Sequence, residues 1–131
     1  MSFDRLVVVD WSARSKPSPK APAKDAIYIC HSNDFAMQNT EYFRTRRAAL
    51  NFIEKLIEKS LVLKERIFIG FDFAFGYPAG FSKSVTSSSN SFSIWEFLKQ
   101  EVTDGEDNSN NRFEVAQLLN SKFDGIGPFW G

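Results

Sequence analysis

One cysteine, one histidine and no surplus of either charge restrict this chain more than anything it contains in quantity. Cys30 has no second cysteine to pair with, so no internal disulfide holds the fold. Cys30 and His31 cannot furnish the four ligands of a Cys/His zinc cage. They also narrow the nucleophile options, because His31 is the sole imidazole base and, in an extended strand, Cys30 beside it points to the opposite face. The 16 basic and 16 acidic side chains cancel to a net charge of zero. That removes the long-range attraction used by proteins that coat nucleic acid indiscriminately, so a nucleic-acid contact has to come from a local patch.

Long apolar runs are missing as well. The longest near the N-terminus, Leu6 to Val9, lies between charged residues and is too short for a secretory segment or a membrane span. The expectation is a cytoplasmic protein with no membrane association. Glycine motifs for phosphates are absent too: Gly125, Gly127 and Gly131 follow no strand, Pro128 interrupts them, and there is no Walker sequence. The acidic turn Thr103 to Asp107 lacks the alternating ligands and central glycine of an EF-hand. Carboxylates remain as the source of strong chemistry.

What is present suits a single α/β domain over residues 1–131, since 43% hydrophobic residues are enough for one core. Leu6–Val9, closed by Asp10-Trp11-Ser12, reads as a buried strand, and Ala26–Cys30 as a second. Between them Arg14 to Lys24 carries Pro17, Pro19 and Pro22 with four cations and no acid, which predicts an extended, exposed loop. Phe35–Phe43 is a weaker extended segment, completing an antiparallel meander. From Thr45, apolar and small residues at 49, 52, 53, 56, 57 and 60 recur on one helical face. Arg66–Phe75 then alternates strictly, as a strand does. The helix acts as a crossover that makes the first and fourth strands parallel neighbours. Ser82–Ser93 reads as a mobile loop, Ile94–Val102 and Asn111–Asn120 as short helices, with Asp107, Asn108 or Ser109 capping the latter. Ending on Phe129-Trp130 is unusual for a terminus, which suggests the front portion of a longer protein.

Alternation within the two parallel strands allows Asp10 and Asp72 to project to one side. Two carboxylates sharing a site repel unless a divalent cation neutralises them, and an oxygen-only ligand set favours Mg2+ or Mn2+. Such an ion activates water and stabilises charge on a phosphoryl group. The plainer alternative is that both aspartates cap turns at strand ends.

The segments Val7-Val-Val-Asp-Trp-Ser-Ala13 and Ile69-Gly-Phe-Asp-Phe-Ala-Phe-Gly-Tyr-Pro78, with an amphipathic helix between them, resemble an uncharacterised bacterial family of predicted nucleases with the ribonuclease H fold. Asn110–Ala116 and Gly127–Gly131 also look like motifs of the closer relatives. The resemblance implies a metal-dependent nuclease or phosphodiesterase, a hydrolase in which Asp10 and Asp72 are the catalytic, metal-holding aspartates. It also implies a third carboxylate from the first helix. Glu54 and Glu58 are the candidates, at about 100° and about 140° from Ile53 on the helical wheel, so Glu54 is nearer the boundary and is taken as the third ligand. A further acid from a later helix would be Asp107 or Glu114.

Ser12, Arg44, Arg47 and Arg112 are the candidate substrate-binding residues. Arg44, Arg46 and Arg47 crowd the start of the main helix, where the macrodipole disfavours cations, and this invites a phosphate. Trp11 and Tyr77, each near a candidate aspartate, can stack on a base or pack locally. The partner is then nucleic acid or a phosphorylated small molecule. Two other readings stand beside the nuclease: a non-catalytic module for a phosphate ligand or a protein, and an actin-like or sugar-kinase-type nucleotide-binding protein. The last lacks its Asp-x-Gly turn, since Trp11-Ser12 follows Asp10.

Overall fold

A computed structural model of the chain describes residues 3–34 and 37–129. They form β1 (Arg5–Asp10), β2 (Ile27–Asp34), β3 (Met37–Phe43), α1 (Arg46–Leu63), β4 (Ile67–Phe71), α2 (Phe81–Thr86), α3 (Phe92–Glu101) and α4 (Arg112–Asn120). The class is α/β, with one mixed sheet in the order β3-β2-β1-β4. β1 runs antiparallel to β2 and β2 to β3, while β4 lies parallel to β1 after the α1 crossover. No helix among the described residues is long and apolar enough to cross a membrane. The chain divides into two compact units, Met1–Phe73 with Glu106–Asn108, and Ala74–Gly105 with Ser109–Gly131.

The first unit is built on the period-two pattern of β1 and β2. Val7, Val9, Ile27 and Ile29 are fully buried against Ala49, Ile53 and Leu56 of α1. Thr45 starts that helix, its hydroxyl accepting the Ala48 N–H at 3.2 Å. Lys64 ends it at φ 55°, so that the amides of Lys64 and Glu65 can reach back to Leu61 and Ser60. His31 lies on this same helical side against Phe52 at 5.3 Å, while Cys30 faces the other way. The opposite sheet face carries no helix of this unit, and Val8 and Phe68 are 59% and 48% exposed there.

A buried cation closes the base of the sheet. Arg5 is 3% exposed, and its Nε and Nη2 donate to Glu65 Oε2 at 3.0 and 2.8 Å; Nε also meets Ser60 Oγ at 2.9 Å. At the exposed surface nearby, hydrogen bonds from Arg66 hold the Asp4 carboxyl below its ordinary range.

Two sequence expectations change. The fourth strand stops at Phe71 rather than running to Phe75, because β1 ends at Asp10 and offers no ladder partner beyond. Phe73 and Phe75 are accordingly 41% and 63% exposed. The serine-rich stretch is not a loop throughout: Phe81 and Val85, one helical turn apart, are buried and draw residues 81–86 into α2. Its polar groups bond locally, Ser82 Oγ to Asn90 O at 2.7 Å and Thr86 Oγ1 to Ser82 O at 2.8 Å. Phe35 and the final Trp130 lie outside the described residues.

In the second unit, Phe81, Val85, Ile94, Val115 and Leu119 make the core. Tyr77 stacks on Phe81 at 4.5 Å. The segment after α4 folds back through Asn120, whose side-chain amide pairs both ways with the Phe129 backbone at 2.8 and 2.9 Å. Gly127 at φ +82° permits that return, since a Cβ there would sit 2.6 Å from the Asn120 side chain.

Replacing Glu65 with Ala strands the Arg5 charge in the core and is expected to cost about 3 kcal/mol, read as a lower urea midpoint at unchanged slope. Arg5→Met, which removes the charge as well, should cost less. A second test concerns Tyr77, whose phenol burial pushes above its ordinary value. The folded state favours the neutral ring, so its contribution is present below about pH 10 and lost as pH rises through the raised value. Thermal melts between pH 9 and pH 11 should fall more steeply for the wild type than for Tyr77→Phe.

Candidate functional site

Asp10 is the last residue of β1, and Asp72 follows the last residue of β4. The parallel register pairs Val8 with Gly70 and Val9 with Phe71, so one further step sets Asp10 beside Asp72. Val9 is buried under α1, and alternation puts Asp10 on the face opposite α1 with Val8. Both aspartates are exposed, at the carboxyl ends of two parallel neighbours. Such strand ends are where ligands gather in α/β sheets.

The two carboxylates differ in what they touch. Asp72 Oδ1 accepts the Trp11 N–H at 3.0 Å, tying the end of β4 to the residue after β1. The Asp10 carboxylate takes part in no hydrogen bond or ion pair among the described residues. Trp11 turns toward the helical side, its ring meeting Phe71 at 6.1 Å and Phe73 at 6.4 Å. Tyr77 likewise packs against its own unit. Local packing accounts for both rings.

Glu54 is exposed on α1, which covers the face opposite Asp10. Among the described residues no three His, Cys, Asp or Glu side chains gather into a group that could hold a metal ion. The structure therefore brings Asp10 and Asp72 together and leaves Glu54 apart from them. Asp107 belongs to the first unit, and Glu114 and Arg112 belong to the second.

The remaining candidate residues fall into structural and exposed groups. Ser12 is buried, its Oγ donating to Asp25 O at 2.5 Å, so it closes the two ends of the Pro/Lys loop rather than facing a ligand. Arg44 is exposed and donates Nε to Ser18 O at 2.7 Å. Arg47 is exposed, with Glu106 Oε1 at 4.0 Å. Arg112 lies with its guanidinium over the Phe113 ring at 4.7 Å, and its Nη1 is buried without a hydrogen-bond partner.

Arg46, grouped by sequence with its neighbours, does something different. It is buried, and its Nη1 donates to Ser12 O at 3.2 Å and Arg14 O at 2.7 Å, and its Nη2 to Asn108 O at 2.8 Å. Asn108 completes this node. Its Oδ1 accepts the Arg46 N–H at 2.8 Å, and its Nδ2 donates to Arg44 O and Lys16 O. Asn108 adopts φ 71°, a left-handed conformation that asparagine tolerates better than most residues. It is not the cap of α4, a position held by Asn111, whose side chain instead bonds the Thr103 amide and Glu101 carbonyl.

The sequence offered Asn108 only as a candidate cap for the last helix and gave no sign of this node. Nor did it point to a cleft of about 310 Å3 in the second unit, lined by Phe75, Tyr77, Ser82, Phe92 and Trp95. No acid or base lines that cleft.

Comparison of the chain with known protein families, with curated proteins and with solved structures finds no match.

Loss of the Asp72 acceptor tests its structural share. Asp72→Ala is expected to lower stability by about 1 kcal/mol. Asp72→Asn, which keeps an acceptor oxygen, should lie within about 0.5 kcal/mol of the wild type by urea unfolding.

Proposed function

We propose that the chain is a metal-dependent phosphodiesterase of the nuclease type, with Asp10 and Asp72 as its catalytic aspartates and with a ribonuclease H-like reading of the sheet. The observation that carries this is the pairing of two exposed aspartates, in register, at the carboxyl ends of adjacent parallel strands. The meander, crossover helix and parallel fourth strand support the same fold reading. So does the resemblance of the two aspartate segments to predicted nucleases.

The donor set fits Mg2+ or Mn2+. These ions are commonly held by one or two carboxylates, with waters and substrate phosphates completing the octahedron. The Asp10 carboxylate is unengaged among the described residues, and Asp72 keeps Oδ2 beside the oxygen that Trp11 occupies. When bound, the ion would supply an activated water and charge stabilisation on the phosphoryl group. The protein's own part is to hold both carboxylates at fixed strand ends, with the Asp72 rotamer set by the Trp11 amide. Glu54 as a third ligand is a weaker part of this reading, since it stands on the far side of the sheet.

The Asp72 to Trp11 hydrogen bond also favours a second reading, in which the aspartates shape the strand ends of a non-catalytic binding module. The two separate in one experiment. Under the nuclease reading, Mg2+ or Mn2+ raises the thermal midpoint of the wild type, and Asp10→Asn and Asp72→Asn abolish that shift while both remain folded. Cleavage of nucleic-acid substrates should fall at least about 100-fold in either variant. An ion-independent midpoint in all three proteins supports the binding module instead.

A further inference from the structure

The loop Arg14 to Lys24 is fixed through its backbone. Arg46 Nη1 donates to Arg14 O, Asn108 Nδ2 to Lys16 O, and the Ser18 amide and carbonyl pair with Arg44 O and Arg44 Nε at 2.9 and 2.7 Å. The hydroxyl of Tyr42 donates to Pro19 O at 2.8 Å and that of Tyr28 to Ala23 O at 3.1 Å. Ser18 is 2% exposed, and Pro17, Pro19 and Pro22 restrict the backbone between anchors.

The side chains are treated in the opposite way. Lys16, Lys20 and Lys24 are exposed and form no ion pair among the described residues, and Arg14 forms none either. No acid interrupts the sequence from Arg14 to Lys24. Exposed Arg44 is tied to the same loop. A protein of zero net charge thus holds a rigid ridge of unpaired cations, beginning four residues after Asp10.

We infer that this loop is a docking ridge for the phosphate backbone of nucleic acid. Lysine suits a phosphate contact that positions without reading sequence. The ridge gives the local patch that zero net charge demands, and its backbone anchors lower the ordering cost of binding. The half-buried rings of Tyr28 and Tyr42, 5.3 Å apart beside the loop they pin, add aromatic surface of the kind that bases stack on. The choice of nucleic acid over an acidic peptide rests on the phosphodiester reading of Asp10 and Asp72; the ridge itself does not.

The test is the salt dependence of binding to a labelled single-stranded oligothymidylate, followed by anisotropy in EDTA from about 50 to about 200 mM salt. The triple variant Lys16→Gln, Lys20→Gln, Lys24→Gln should make the slope of log K against log salt shallower by about 2, from roughly 0.7 per phosphate contact. It should weaken binding at low salt at least about tenfold. Equal neutralisation of exposed lysines on α1 and at its C-cap, Lys55→Gln, Lys59→Gln, Lys64→Gln, should leave the slope unchanged. The inference is overturned if the wild type does not bind, if both triple variants change the slope alike, or if polyglutamate competes as well as the oligonucleotide. Binding through the loop without cleavage by the metal-loaded protein would retain the ridge and remove the nuclease reading. Cleavage with a loop-independent slope would do the reverse.

Discussion

The parallel pairing of β1 with β4 governs what the first unit can be. A parallel neighbour cannot be reached by a hairpin, so the chain between them has to leave the sheet and return, and α1 is that return path. Pairing in register then divides the residues. Val7, Val9, Ile69 and Phe71 turn to the helix, and Val8, Asp10 and Gly70 turn away from it. A slip by one residue would drive Asp10 under α1 and expose Val9, so burial of two fully covered valines also fixes the carboxylate. Core packing and candidate chemistry are two sides of the same strand.

That coupling explains how much was legible in the sequence. The period of two in β1 and the helical recurrence from Ala49 to Ser60 are burial patterns, and burial is what a sequence records most directly. Strand order and the adjacency of Asp10 to Asp72 followed from them. The end of β4 was not legible because Phe73 and Phe75 continue the alternation; only the end of β1 removes their partner. Phe81 and Val85 failed for a similar reason, since serines between them read as loop while two buried side chains one turn apart suffice for a helix.

Polar nodes were harder still. Arg46 and Arg47 are adjacent and chemically alike, yet one is buried with its guanidinium donating to the carbonyls of Ser12, Arg14 and Asn108 and the other is exposed. Nothing local distinguishes them. The difference comes from the helical phase that buries Arg46 with Ala49 and Ile53, and from Asn108, 62 residues further on. The same holds for the Pro/Lys loop, whose composition indicates exposure correctly but cannot indicate anchoring by residues distant in sequence.

The buried Arg46 guanidinium donates to the carbonyls of Ser12, Arg14 and Asn108, and hydrogen bonds of this kind offset part of its desolvation. Here it converts a flexible, proline-broken segment into a fixed one while leaving the cations of that segment to solvent. Arg5 lies at the other end of the sheet, where the Glu65 carboxylate neutralises the buried charge. The first unit therefore has one end closed by the Arg5–Glu65 ion pair and another whose loop cations form no ion pair among the described residues. The aspartates sit at the latter, since β1 runs from Arg5 to Asp10. An anionic ligand drawn by those loop cations would meet Asp10 and Asp72 as like charges, and close approach would require neutralisation of the pair. Under the proposed function a divalent cation would supply that neutralisation, and the lysine ridge and the carboxylate pair would then be parts of one electrostatic arrangement.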